Sequence, residues 1–230
     1  MIQADGTEKV GPKEESSLRD YLFRMLKDTT GSDNKRRLAA DMLYYGAAAQ
    51  TYFNYDTEHL VTATEDPEEQ ALLAEFHTPT EPEAPEAMTF AGDGAELRGS
   101  VVLGNRVILS VTMKADAGLE NLTLVVAEQG GSGAAERIAM RAHSFLPGVY
   151  VGESAGFTAR KMRVAYDVYV EDANGNAVSQ TMTWSVARYL ADLRTDPETN
   201  AKQISLFNAL LTYGDAVKAY MEAPYGSFQN

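Results

Sequence analysis

The chain of 230 residues contains no cysteine. That absence excludes disulfides, thiolate nucleophiles and cysteine-ligated zinc or iron–sulfur sites together. Histidine is scarce: His59, His77 and His143 are the three. They show no H-x-x-x-H spacing, so no zinc site is expected. Basic residues are outnumbered 20 to 33, leaving a formal net charge of −13. Nucleic-acid phosphates need a basic face, so no nucleic-acid partner is expected. No run approaches the roughly 18 apolar residues that cross a bilayer, so direct membrane insertion is not expected either. The opening MIQADGTEKVGPKEES lacks the basic start and apolar stretch of a signal peptide. The expectation is a cytosolic protein or a piece of a longer exported one.

What is present belongs to a folded protein, with 44% hydrophobic and 23% charged residues. The charge is uneven. Residues 56–86 hold ten acidic side chains, no Lys or Arg, and Pro67, Pro79, Pro82 and Pro85. Such composition predicts a solvated linker, with an acidic calcium or partner-binding strip as the alternative.

Residues 17–53 and 185–221 align without a gap at an offset of 168. Matching pairs include Ser17/Ser185, Tyr21/Tyr189, Leu22/Leu190, Leu43/Leu211, Tyr45/Tyr213, Gly46/Gly214 and Tyr52/Tyr220. Each copy reads as a short helix, a polar turn and a longer helix, with the serine as N-cap. Leu38, Met42, Tyr45, Ala49 and Tyr52 step by four and three, which predicts one apolar stripe. A glycine inside a helix costs about 1 kcal/mol against alanine, so Gly46 and Gly214 predict close approach by a neighbouring element. The repeated tyrosines read as packing residues. Tyr44 and Tyr55, replaced by Thr212 and Ala223 in the other copy, are free to be surface or functional.

Between the copies the period changes to two. Val107, Leu109, Val111 and Met113 alternate with polar residues, and Gly104-Asn105 joins them to LRGSVVL as a hairpin. NLTLVVAE and AAERIAMRA flank the turn QGGSG, and KMRVAYDVYVED turns at Asn174-Gly175 into AVSQTMTW. Six to eight short strands predict an antiparallel sandwich over about 88–184. Ala4-Asp5-Gly6 resembles Ala173-Asn174-Gly175, so residues 1–16 are expected to be a remnant of an upstream sandwich, with a disordered start as the alternative. The fold class is therefore α+β, an antiparallel β-sandwich flanked by two repeated helical pairs. The expected divisions are 1–16, a helical pair at 17–56, an acidic linker at 57–87, the sandwich at 88–184 and a helical pair at 185–230.

Tyr-Gly-Ala-Ala-Ala-Gln-x-Tyr-Phe at 45–53, Ser-Val-x-x-Tyr at 185–189 and Gly156–Met162 resemble a module of large surface or secreted proteins of anaerobic gut Clostridia. In those proteins a sandwich is followed by a helical pair, near S-layer homology, dockerin or Ig-like repeats. The resemblance implies export, an extracellular or cell-surface setting, and adjacent domains of a longer parent chain. It carries no catalytic residues.

One motif points to chemistry. Gly152-Glu153-Ser154-Ala155-Gly156 fits the G-x-S-x-G nucleophile turn of a serine hydrolase. That fold needs a histidine after the serine, and all three histidines precede Ser154. An HGGG-type oxyanion loop and an alternating β/α pattern are also missing. The motif thus reads as a strand-end turn, and the chain is not expected to be an enzyme or to use a cofactor. Asp172-x-Asn174-Gly175-Asn176 lacks the ligand spacing of a calcium loop, and Gly130-Gly131-Ser132-Gly133 lacks the Lys of a phosphate loop; both read as hairpin turns.

Sugar binding on exposed aromatics is the remaining chemistry. Trp184 is expected to be buried at a strand-to-helix junction. The candidate ligand-contact residues are Tyr44, Tyr55, Phe145, Tyr150, Phe157 and Tyr169. The leading expectation is a non-catalytic module for adhesion, ligand display or spacing, with a glycan or a host or cell-surface protein as partner. A carbohydrate-binding module attached to a polysaccharide-degrading system is the alternative.

Overall fold

The computed structural model describes residues 17–77, 79, 86–104, 106–115 and 119–223. The expected upstream remnant at 1–16 and Asn105 of the first hairpin lie outside the described residues. Among the described residues the fold is mixed α/β, with five helices and two antiparallel sheets.

The helices begin where local chemistry dictates. Ser17 opens α1 (Leu18–Lys27) with a capping box: its hydroxyl accepts from the Asp20 backbone, and the Asp20 carboxylate accepts from the Ser17 backbone. Ser32 caps α2 (Asp33–Phe53), which ends at Asn54 in the left-handed conformation, φ 53°. Ser185 and Asn200 cap α4 (Val186–Thr195) and α5 (Ala201–Glu222) in the same way.

A third helix, α3 (Pro67–Phe76), corrects the expectation of a solvated linker. Asp66 is its N-cap and Pro67 its first residue, a start signal that acidic composition masked. Leu73 and Phe76 are buried against Leu22, Phe23, Leu26, Ala39, Ala40 and Leu43. The acidic residues at its start are partnered as well, Lys27 Nζ lying 2.8 Å from Asp66 and 3.0 Å from Glu69. Arg36 caps this small core, its guanidinium 4.0 Å above the Phe76 ring and its Nε donating to the Leu26 carbonyl.

Among the described residues nine strands follow: β1 (Thr89–Ala91), β2 (Leu97–Leu103), β3 (Val107–Lys114), β4 (Thr123–Glu128), β5 (Glu136–Ala139), β6 (Arg141–Ala142), β7 (Val149–Glu153), β8 (Tyr166–Glu171) and β9 (Thr181–Trp184). One sheet has the order β1-β9-β8-β4-β5 and the other β2-β3-β7-β6. Alternation sets the register: Leu97, Val111 and Met113 point inward with Gly99, Gly152 and Tyr150 beside them. The inward residues of both sheets meet in one core with Trp184, Val186, Leu190, Phe207, Leu210 and Leu211, so α4 and α5 close it. The alternation read from Met162 onward becomes a strand only at Tyr166, because Ala159–Lys161 forms a 3-10 turn that packs on α5.

The stripe expected on α2 is half-buried, while Ala39, Ala40, Asp41, Leu43 and Ala47 are its buried residues. The helix has neighbours on two sides, so its small residues face the tightest contacts. One side meets α1 and α3; the other meets α5, where Tyr45 stacks on Tyr213 with centroids 5.6 Å apart.

Candidate functional site

Ser154 is 5% exposed and joined to β3: its N–H donates to the Leu109 carbonyl at 2.9 Å, and its hydroxyl accepts the Leu109 N–H at 3.0 Å. The hydroxyl thus takes the place of a ladder carbonyl. Gly156 then turns with φ 96°, where a Cβ would come 2.8 Å from that of Arg106. His143 sits at the opposite end of β7, its N–H donating to the Val149 carbonyl. Ser154 lies five extended residue steps beyond Val149, about 16 Å of strand. The geometry brings no base to this serine. Asp172 likewise spends one carboxylate oxygen on the backbone N–H groups of Asn174 and Asn176, as a turn residue does.

The candidate aromatics do not assemble into a platform. Phe157 is 8% exposed and packs against Tyr166 and Trp184 in the core, which corrects its assignment as a ligand contact. Its position beside Val107, to which it is bridged, points it inward. Trp184 is 1% exposed, as expected at its junction. Tyr150 faces inward from β7 and donates its hydroxyl proton to the Leu119 carbonyl. Tyr169 lies in the other sheet, opposite Val125. Tyr55 and Phe145 are exposed on separate elements. Tyr44 stacks on His77, with centroids 3.6 Å apart.

That last contact leads to a group the sequence did not single out. The Asp41 side chain is fully buried inside α2, and its Oδ1 lies 2.8 Å from Nδ1 of His77, the C-cap of α3. Arg37 Nε stands 3.7 Å from Oδ2, one turn back on the same helix. Burial pushes the Asp41 carboxyl above its ordinary range, and the His77 hydrogen bond with the His77 and Arg37 charges pulls the other way. The outer side of His77 lines a groove of about 300 Å³ between α2 and α5, with Tyr44, Thr51, Ser205, Asn208 and Thr212.

Chemically, a carboxylate fixing Nδ1 leaves Nε2 to exchange protons or to bind. No hydroxyl among the described residues is hydrogen-bonded to His77 as a nucleophile would be. No three His, Asp or Glu residues converge on one point there either. What the pair does within the fold is to tie the end of α3 to α2. The sequence held one distant pointer to it: at the offset of 168 Asp41 aligns with the uncharged Ala209.

Comparison with protein-family models, curated proteins and solved structures finds no match to this chain.

Proposed function

We propose that the chain is a non-catalytic module of a bacterial cell-surface or secreted protein, a spacer that holds adjacent domains or a displayed ligand site at fixed geometry. In this reading the two sheets are a β-sandwich, and α1–α2 and α4–α5 are copies of one helical pair.

The observation that carries the reading is how the long helices meet. Asn34, near the start of α2, donates to the Ala219 carbonyl near the end of α5, and Tyr45 stacks on Tyr213. The helices are therefore antiparallel, and residues 168 apart in sequence touch each other. A pair of like elements meeting through equivalent residues is the arrangement of a two-fold interface. Such a clasp packs α2 of the helical core against α5 of the sheet core, the contact a spacer requires.

Small-angle scattering tests this. The wild-type chain is expected to scatter as one rigid body, and replacing both Tyr45 and Tyr213 with Ser should raise its radius of gyration. Equal flexibility in both proteins would sink the spacer reading. Antibody labelling of intact cells that make the protein tests its location, and labelling only after lysis would remove the surface assignment.

The second reading is a carbohydrate-binding module. It loses the flat aromatic platform but keeps Phe145, 86% exposed beside His143.

A further inference from the structure

The outer face of the four-stranded sheet gathers basic side chains at one end. Register places Arg98 opposite Thr112 and Lys114 opposite Val149, all pointing away from the core. His143 continues that row, because its N–H pairs with the Val149 carbonyl. Arg98 and Lys114 are diagonal neighbours on adjacent strands, within reach of one small ligand group. Lys114 and His143 flank Val149 at two strand spacings, about 10 Å. Together these residues line a groove of about 370 Å³ whose apolar side is Leu146 and Val149.

Three features make this face a receptor for negative charge. Arg98 and Lys114 form no ion pair or side-chain hydrogen bond with any described residue. Glu96 is the one carboxylate among the described lining residues, so the groove is positive on a chain of net charge −13. The tautomer of His143 is also set. The Phe145 backbone N–H donates to its Nδ1 at 3.2 Å, so the neutral ring carries its proton on Nε2, as a further donor. Leu146 is 53% exposed at the rim and Phe145 stands next to His143, with ring centroids 6.3 Å apart.

We propose that this groove binds a carboxylate-bearing sugar of the uronic-acid class. The carboxylate lies between the Arg98 guanidinium and the Lys114 ammonium, charge-assisted contacts of the stronger kind. A ring hydroxyl accepts from His143, and an apolar ring face rests on Leu146 and Phe145. This rests on the carbohydrate-binding reading and names its site and ligand. A sugar suits the groove better than an acidic peptide, because a donor row beside an apolar rim matches a ring with both faces and one charge.

Titration of the whole chain with trigalacturonic acid, followed by amide chemical shifts, tests the proposal. Shifts confined to 96–98, 112–114 and 143–149 are expected. The methyl ester of the same trisaccharide removes the charge alone and should bind about tenfold more weakly. Arg98→Ala with Lys114→Ala, both on the surface, should weaken the acid to the level of the ester. Shifts elsewhere, or equal binding of acid and ester, would overturn the site while leaving carbohydrate binding standing. No binding of either trisaccharide or of neutral oligosaccharides would overturn both. Equal competition by a glutamate-rich peptide would overturn the sugar in favour of an acidic polypeptide.

Discussion

The two cores of this molecule are held by different means. The sheet core is large, with a dry centre and hydrogen-bonded serines such as Ser154 and Ser179 at its strand ends: Trp184, Leu109, Met113, Leu124, Met182 and Leu190 are almost wholly removed from water. The helical core under α3 is smaller: Leu22, Phe23, Leu26, Leu43, Leu73 and Phe76 pack around Ala39 and Ala40. Around it stand polar ties, Asp41 to His77, Lys27 to Asp66 and Glu69, and Arg36 to the Leu26 carbonyl. A buried apolar side chain contributes about 1.5–3 kcal/mol, so a core with fewer such residues gains less from burial alone. The polar ties then fix which way the short helices dock.

The largest expected effect breaks the dry core. Trp184→Ala removes the largest wholly buried side chain and should cost about 3–5 kcal/mol in urea unfolding followed by circular dichroism. Its indole N–H has no hydrogen-bond partner among the described residues, an unfavourable group that phenylalanine would not bring. Trp184→Phe should therefore cost much less than its lost volume suggests. A loss below about 1 kcal/mol for the alanine variant would show that the two cores do not differ in this way.

The next effect targets a polar tie. His77→Ala leaves the Asp41 carboxylate buried without its hydrogen bond, and should cost about 3 kcal/mol. Adding Asp41→Asn to that variant removes the stranded charge and should restore part of the stability. An unrelieved double variant would mean that His77 acts only through its stacking on Tyr44. The pH dependence has a defined sign. Burial raises the Asp41 pKa above its ordinary 3.8, so the folded chain holds that proton more tightly than the unfolded one. The contribution is complete below about pH 4 and is lost as pH rises through the folded value. Asp41→Asn should lack this decline, and a parallel decline in both proteins would assign it to other groups.

How far the sequence foretells this structure depends on the range of the signal. The β2–β3 and β4–β5 hairpins, the serine caps and the burial of Trp184 were legible, because alternation and capping are written within a few residues. The helix α3 was missed because ten acidic residues outweighed the Leu72, Leu73 and Phe76 edge inside them. Asp41–His77 joins residues 36 apart, and the donor row of Arg98, Lys114 and His143 needs three strand registers at once. Neither leaves a local mark. The aromatic platform failed for the same reason: alternation says that Tyr150 and Phe157 sit in or beside strands, but only the paired sheets decide which of them face inward.

The smallest effect is the sharpest comparison, because it sets one position of the proposed repeat against its counterpart. An alanine in place of a helical glycine gains about 1 kcal/mol when nothing opposes it. At Gly214 a Cβ would come 2.6 Å from the Ala159 carbonyl oxygen, a backbone atom held by the 3-10 turn. At Gly46 it would meet Val61 Cγ2 at 2.9 Å, the end of a side chain on a loop. Backbone cannot yield as a methyl can, so Gly214→Ala should overpack and lose about 1–2 kcal/mol. Gly46→Ala should fall within about 0.5 kcal/mol of wild type, since the helix gain offsets a small shift of Val61. Thermal unfolding of the two single variants decides it. Equal losses would mean that both glycines serve one shared contact, and that the helical core is packed as tightly as the sheet core.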